Sequence, residues 1–64
     1  MTSRLAIGKR IIEIGDGITI ENAVISSGEH PDAFLFLIDG RPIPITTVPN
    51  DGDVIEAIRV ASGG

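Results

Sequence analysis

The sequence has 64 residues, a net charge of −4 and no cysteine, so disulfides, thiolate metal sites and thiol nucleophiles are excluded. A chain of this length supplies one domain, which must fold by side-chain packing alone. The acidic charge and the presence of only two aromatic residues argue against nucleic-acid binding. There is no signal-peptide pattern and no apolar run of membrane-spanning length, so we expect a cytoplasmic protein that does not contact membranes.

The first half of the chain predicts a hairpin followed by a helix. "RLAIGKRIIEI" is rich in β-branched residues and predicts two short strands joined near Gly8 and Lys9. "GDG" then ends the pattern. Thr19 is a suitable N-cap for a helix that begins at Ile20, and Gly28 is placed to end it. One face of this helix is defined by Ile20, Ala23, Val24 and Ser27.

The second half predicts further strands separated by turns. "DAFLFLIDG" is the most strand-like run in the chain, and Asp39-Gly40 is a turn signal. "RPIPITTVPNDGD" contains three prolines, which predict an irregular crossing or a short edge strand because proline cannot donate to a ladder. "VIEAIRV", residues 54–60, predicts a final strand that leads into the terminal "ASGG".

Four stretches in this order resemble the β-grasp sulfur carriers and ubiquitin-like proteins. They are "GITIENAV", "LIDGRPIP", "NDGDVIEAI" and the final "GG". That family includes the small subunit of molybdopterin synthase, the thiamine-pathway sulfur carrier and the small archaeal modifiers, and "DGRPIP" favours the archaeal branch. The resemblance implies an α+β fold: a single β-grasp domain over residues 1–60, with a mixed sheet of four to five strands packed on one helix, and a flexible tail over residues 61–64.

The resemblance also implies chemistry at the carboxyl end. An E1-like or MoeB-like adenylating enzyme would use ATP to activate the carboxylate of Gly64, with Gly63 as its unhindered neighbour. The acyl-adenylate would become a thiocarboxylate that supplies a sulfur-accepting enzyme in molybdopterin, thiamine or tRNA thiolation, or it would be joined to a target lysine. The absence of Cβ atoms on the two glycines suits a narrow channel. The protein itself would be no enzyme and would bind no cofactor.

Three hypotheses follow for the function. The first is the sulfur carrier, the second is a ubiquitin-like modifier conjugated through Gly64, and the third is a non-covalent interaction module. In the third hypothesis "ASGG" is an inert, frayed tail.

Partner docking is predicted on the sheet. If alternation buries Phe34, Phe36 and Ile38, then Leu35 and Leu37 face outward, where Ile58 of the adjoining strand can join them. In related proteins such a face docks the activating enzyme or the sulfur acceptor. The alternatives are that a neighbouring element covers these residues or that a one-residue slip exchanges the two sets.

Four smaller features complete the sequence-based hypotheses. Arg59 is a further docking residue for an acidic groove, or else a solvated charge. Lys9 is the only lysine, so it is either the site of self-conjugation or an ordinary hairpin residue. His30 has no second ligand at a suitable spacing, so we expect no metal. The "DGD" of residues 51–53 lacks the other ligands of a calcium loop and predicts a turn.

Overall fold

The computed structural model describes residues 2–60. Within them lie one α-helix, α1 (Ile20–Ser26), and five strands. The strands are β1 (Ser3–Ile7), β2 (Arg10–Ile14), β3 (Phe34–Ile38), β4 (Arg41–Pro42) and β5 (Val54–Arg59). A short 3-10 turn, Pro31–Ala33, precedes β3 and was not predicted from the sequence. No helix among these residues is long and apolar enough to cross a bilayer.

The five strands form one mixed sheet in the order β2-β1-β5-β3-β4. The strands β1 and β5 are parallel neighbours, and the other three adjacent pairs are antiparallel. The predicted α+β class, with a mixed sheet and one helix, is therefore confirmed. This arrangement is compatible with a β-grasp fold. It places β5, the last strand among residues 2–60, at the centre of the sheet.

The helix begins and ends where the sequence predicts. The Oγ1 of Thr19 accepts a hydrogen bond from the N–H of Asn22 at 3.1 Å, which satisfies one of the unpaired amides of the first turn. At the other end Gly28 has φ +88°, and the N–H of Glu29 donates to the carbonyl of Val24. A glycine avoids the Cβ clash of this left-handed conformation. The helix is too short to be stable alone.

The proline-rich segment between β4 and β5 holds the start of this helix. The N–H of Ile20 donates to the carbonyl of Thr47 at 3.0 Å, and the N–H of Glu21 donates to the carbonyl of Ile45 at 2.9 Å. Two more amides of the first helical turn thus find acceptors outside the helix. The segment is irregular, as predicted, with β4 as its two-residue edge strand.

The core lies between the sheet and α1. Of the three β3 residues expected to be buried, Phe36 is 1% exposed, whereas Phe34 and Ile38 are only half-buried. The hydrophobic core is small, and the full burial of each large side chain in it contributes roughly 1.5–3 kcal/mol to the free energy of folding. The buried hydrophobic residues are Leu5, Ile7, Ile14, Ile20, Ala23, Val24, Phe36 and Ile55.

Candidate functional site

The central strand β5 leads toward the two glycines of the predicted activation site. It pairs with β1 on one side and β3 on the other, and the N–H of Val60 donates to the carbonyl of Ala33 at 3.0 Å. The backbone is therefore hydrogen-bonded to the body up to the last described residue. Gly63 and Gly64 lie outside the described residues, so the predictions about them and about a flexible tail over 61–64 stay predictions.

The structure brings two of the predicted docking residues into direct contact range across the sheet. Leu35 of β3 and Ile58 of β5 are cross-strand partners, and each is 43% exposed. They lie on the face of the sheet opposite α1, because their neighbours in the chain, Phe36 and Ala57, face the core. The predicted alternation is therefore right, and the one-residue slip did not occur.

This outer face continues across the sheet in a row of cross-strand partners. Leu37 is half-buried and pairs with Glu56, which pairs with Ala6, which in turn pairs with Ile11. We call Ala6, Ile11, Leu35, Leu37 and Ile58 the outer patch. The structure leaves its three predicted members, Leu35, Leu37 and Ile58, without a covering element among the described residues, since α1 packs on the other face.

One carboxylate lies inside the outer patch. Glu56 is exposed and has Ala6 on one side and Leu37 on the other. The core of a protein interface is depleted of charged residues, so a carboxylate that is covered there needs a basic group of the partner opposite it. The arrangement therefore suits a protein partner that presents apolar side chains around a basic group.

Two members of this patch were missed by the sequence reasoning. The alternation in "RIIEI" places Ile11 and the buried Ile14 on opposite faces of the strand, so the outward direction of Ile11 could have been predicted. The same argument applies to Ala6 between two buried residues of β1. That these two residues share a face of the sheet with Ile58 could not be predicted, because it depends on the parallel pairing of β1 with β5.

Arg59 lies at the same end of β5 but does not belong to the outer patch. Its guanidinium carbon is 5.2 Å from the centre of the Phe34 ring, on the helix side of the sheet. A cation over an aromatic ring at this distance is attracted by about 0.5–1 kcal/mol when the site is exposed. The exposed Arg59 thus packs on Phe34 and lies on the face of the sheet opposite Leu35 and Ile58. Its role in docking stays a prediction.

Lys9 is exposed in the two-residue turn between β1 and β2. Because β1 and β5 run parallel and Ile7 is level with Ala57, this turn lies at the same end of the sheet as the end of β5. Lys9 is therefore on the side of the body from which the chain continues toward Gly64. Its proposed self-conjugation stays a prediction.

A groove of about 570 Å³ lies at the opposite end of the sheet. Its polar groups do not form a catalytic arrangement: a carboxylate oxygen of Asp53 accepts from the N–H of Asn50 at 2.9 Å, as in an ordinary turn. No group of three His, Cys, Asp or Glu residues among residues 2–60 could hold a metal ion. The lining residues are Ile38, Asp39, Arg41, Ile43, Thr47, Val48, Asn50 and Asp53.

No protein-family model matches this chain, and a comparison with curated proteins gives no match either. The resemblance to the β-grasp sulfur carriers therefore rests on the four short stretches described above. The strand order, the position of β5 and the outer patch are compatible with that resemblance.

Proposed function

We propose that this protein is a cytoplasmic sulfur carrier whose reactive group is the carboxylate of Gly64. The observation that carries the proposal is the course of β5, a central strand paired on both sides that leads directly toward a run of small residues, Ala-Ser-Gly-Gly. A paired strand fixes the position and direction of the chain up to Val60, the last described residue. The small residues beyond it allow close approach to a partner's active site.

The chemistry proceeds in two steps. First, a carboxylate oxygen of Gly64 attacks the α-phosphorus of ATP in the adenylating enzyme, and pyrophosphate leaves. Then hydrosulfide, HS⁻, delivered by a partner protein attacks the acyl carbon, AMP leaves, and loss of the S–H proton gives the thiocarboxylate. The sulfur is carried on the acyl group, which is consistent with a chain without cysteine. ATP is bound by the adenylating enzyme and not by the carrier.

The outer patch supplies the recognition surface in this proposal. Leu35 and Ile58 contribute exposed apolar area, and Glu56 contributes a charge that orients a basic partner group. The adenylating enzyme and the sulfur-accepting enzyme would use this face in turn. The proposal requires that Gly64 hold the terminal carboxylate of the working protein.

Intact mass spectrometry of the protein purified from its own host tests the carrier function. The proposal predicts a species in which one oxygen is replaced by sulfur, and it predicts that this species is missing from a chain that lacks Gly64. A working protein whose mass shows only the unmodified carboxylate under sulfur-replete conditions would contradict the proposal.

The second candidate function is a ubiquitin-like modifier attached through Gly64 to lysines of target proteins. The exposed position of Lys9, at the end of the sheet from which the chain continues toward Gly64, is the observation in its favour. Arg59 is the last tryptic cleavage site, so conjugated lysines would carry the remnant "VASGG". If neither the sulfur-bearing mass nor the remnant occurs, and deletion of Gly64 leaves function intact, the third hypothesis, a non-covalent interaction module, is the correct one.

A further inference from the structure

The two edges of the sheet differ in how well they are protected. On one side β4 has only two residues, one of which is Pro42, and an irregular segment follows it. Short length and proline both prevent an edge from pairing with another chain. On the other side β2 has five residues without proline, and among the described strands it pairs only with β1. The edge of β2 is therefore the one open to strand pairing.

The edge strand β2 carries an unusually exposed apolar side chain, that of Ile11. It is 65% exposed, the largest value for any large apolar side chain among residues 2–60. The two-residue turn makes Ile7 and Arg10 a hydrogen-bonded pair, and antiparallel bonding alternates along the strands. This alternation turns the N–H and C=O of Ile11 and Glu13 away from β1. Ile11 thus offers an unpaired N–H, an unpaired C=O and an exposed apolar side chain at the free edge of β2.

We propose that a second copy of this protein pairs with the free edge of β2 in antiparallel orientation, with the two-fold axis at Ile11. The two sheets then join into one continuous sheet. Ile11 of one copy lies opposite Ile11 of the other, and the two form a hydrogen-bonded pair. The interface is isologous, because each copy contributes the same strand.

Charge complementarity selects this register. With Ile11 opposite Ile11, the register continued one residue beyond the start of β2 brings the exposed Lys9 of the turn level with Glu13 of the other copy, which gives two pairs of opposite charge. A shift of the pairing by two residues places Ile11 opposite Glu13 and loses the charge pairs. A shift by four residues places Glu13 opposite Glu13, where like charges destabilise the dimer. A shift by one residue is excluded, because it places Ile11, whose N–H and C=O face the free edge, opposite Ile12, whose N–H and C=O already bond to β1.

The helix side of β2 fits the same register. Arg10 of one copy lies opposite Ile12 of the other. The guanidinium of Arg10 forms an ion pair with Glu29 of its own copy at 2.8 Å. The aliphatic part of the Arg10 side chain can therefore pack on Ile12 of the other copy. Next to Ile12 lies a crevice of about 190 Å³ between β2 and α1. The second copy would cover the open side of this crevice.

The contact is small, so we expect a weak dimer. Stable complexes bury roughly 800 Å² per partner, and a five-residue strand edge provides less. The dimer should therefore be populated at high protein concentration and dissociate on dilution. It does not depend on Gly64, so its failure and the failure of the carrier function are separate results.

A single cysteine tests the geometry, because the natural chain contains none. Hydrogen-bonded partners in antiparallel strands have Cα atoms about 5.5 Å apart, which is within the range that a disulfide spans. Under mild oxidation Ile11→Cys should give covalent dimer at least about tenfold faster than Val54→Cys, because pairing raises the effective concentration of the two thiols. Val54 is 59% exposed on the same face but away from the edge, so it is a matched control. Equal rates would overturn the proposal.

Reversal of charge tests the register without a crosslink. By sedimentation equilibrium the natural chain should double its mean mass at high concentration, and Glu13→Lys or Lys9→Glu alone should remain monomeric. The double variant Lys9→Glu/Glu13→Lys should dimerise again, because both charge pairs are restored with reversed sign. Circular dichroism confirms that each variant is folded. A natural chain that is monomeric throughout, or a double variant that fails to recover, would overturn the proposal.

Discussion

Single side chains decide where the helix begins and which face of β3 is buried. The helix has seven residues, so each hydrogen bond at its ends is a large part of its stability. At the N-terminus Thr19 supplies a side-chain acceptor, while backbone carbonyls of the proline-rich segment supply the others. Substitution of this one threonine therefore reports directly on the capping.

Thr19→Ala should lower the free energy of unfolding by about 1 kcal/mol, because the N–H of Asn22 loses its acceptor. Urea denaturation followed by circular dichroism measures the change. Thr46→Ala is the matched control: Thr46 is exposed in a turn, and its substitution should change stability by no more than about 0.5 kcal/mol. Equal effects of the two substitutions would show that Thr19 does not cap the helix.

Phe36 and Leu35 are adjacent in sequence but differ in burial, 1% against 43% exposed. Phe36→Ala should cost about 3–5 kcal/mol through lost burial and a residual cavity. In a domain this small that is most of the stability, so the variant should be largely unfolded at room temperature. Leu35→Ala should remain folded, with a cost of about 1 kcal/mol or less. A reversed order of the two effects would mean that the other face of β3 is buried.

At the scale of elements, local signals were predictable and distant pairings were not. Thr19, Gly28 and the prolines act on their own neighbourhoods, so the bounds of α1 and the irregular segment followed from the sequence. The parallel pairing of β1 with β5 joins the two ends of the chain, and no local pattern encodes it. The outer patch could thus be predicted only in part: its β3 and β5 members followed from alternation, whereas the nearness of Ala6 and Ile11 to them did not.

The run "FLFLI" shows a second limit of sequence reasoning. It is apolar on both faces, so the pattern predicts a strand without showing how deeply each residue is buried. Phe34 lies at the start of β3, opposite the exposed Arg59, and Ile38 lies at its end, opposite Arg41 of the edge strand. Both are therefore less covered than Phe36 at the middle of the strand.

The outer patch should act in recognition and not in chemistry. Ile58→Thr removes exposed apolar area but keeps a β-branched residue in β5. In an adenylation assay with the activating enzyme it should raise KM for the carrier about tenfold, the effect of losing one good interface contact, with kcat unchanged. Val54→Thr, at the far end of the same face of β5, should leave both constants unchanged. Equal KM values for both variants would contradict docking by this patch.

At the scale of the whole molecule, three parts of a small body would serve different purposes, and Ile11 of β2 belongs to two of them, the outer patch and the paired edge. The proposals assign recognition of enzymes to the outer patch, pairing with a second copy to the edge of β2, and the reactive carboxylate to Gly64. In the continuous sheet of the proposed dimer the two outer patches lie on the same side, and the Gly8–Lys9 turn approaches the second copy.

The independence of these parts is itself testable. A chain that lacks Gly64 should dimerise as the natural chain does, because β2 lies at the edge of the sheet and β5 at its centre. Sedimentation equilibrium of the two chains side by side measures this. A dimer lost on deletion of Gly64 would show that the tail, and not the edge of β2, holds the copies together.

The central claim is that the carboxylate of Gly64 is activated by ATP while the folded body binds the activating enzyme. ATP–pyrophosphate exchange with the adenylating enzyme of the same host measures this most directly. The account predicts exchange that saturates with the natural chain and is abolished when Gly64 is removed, although the truncated chain keeps its fold by circular dichroism. Exchange that is absent with the natural chain, or that persists without Gly64, would contradict it.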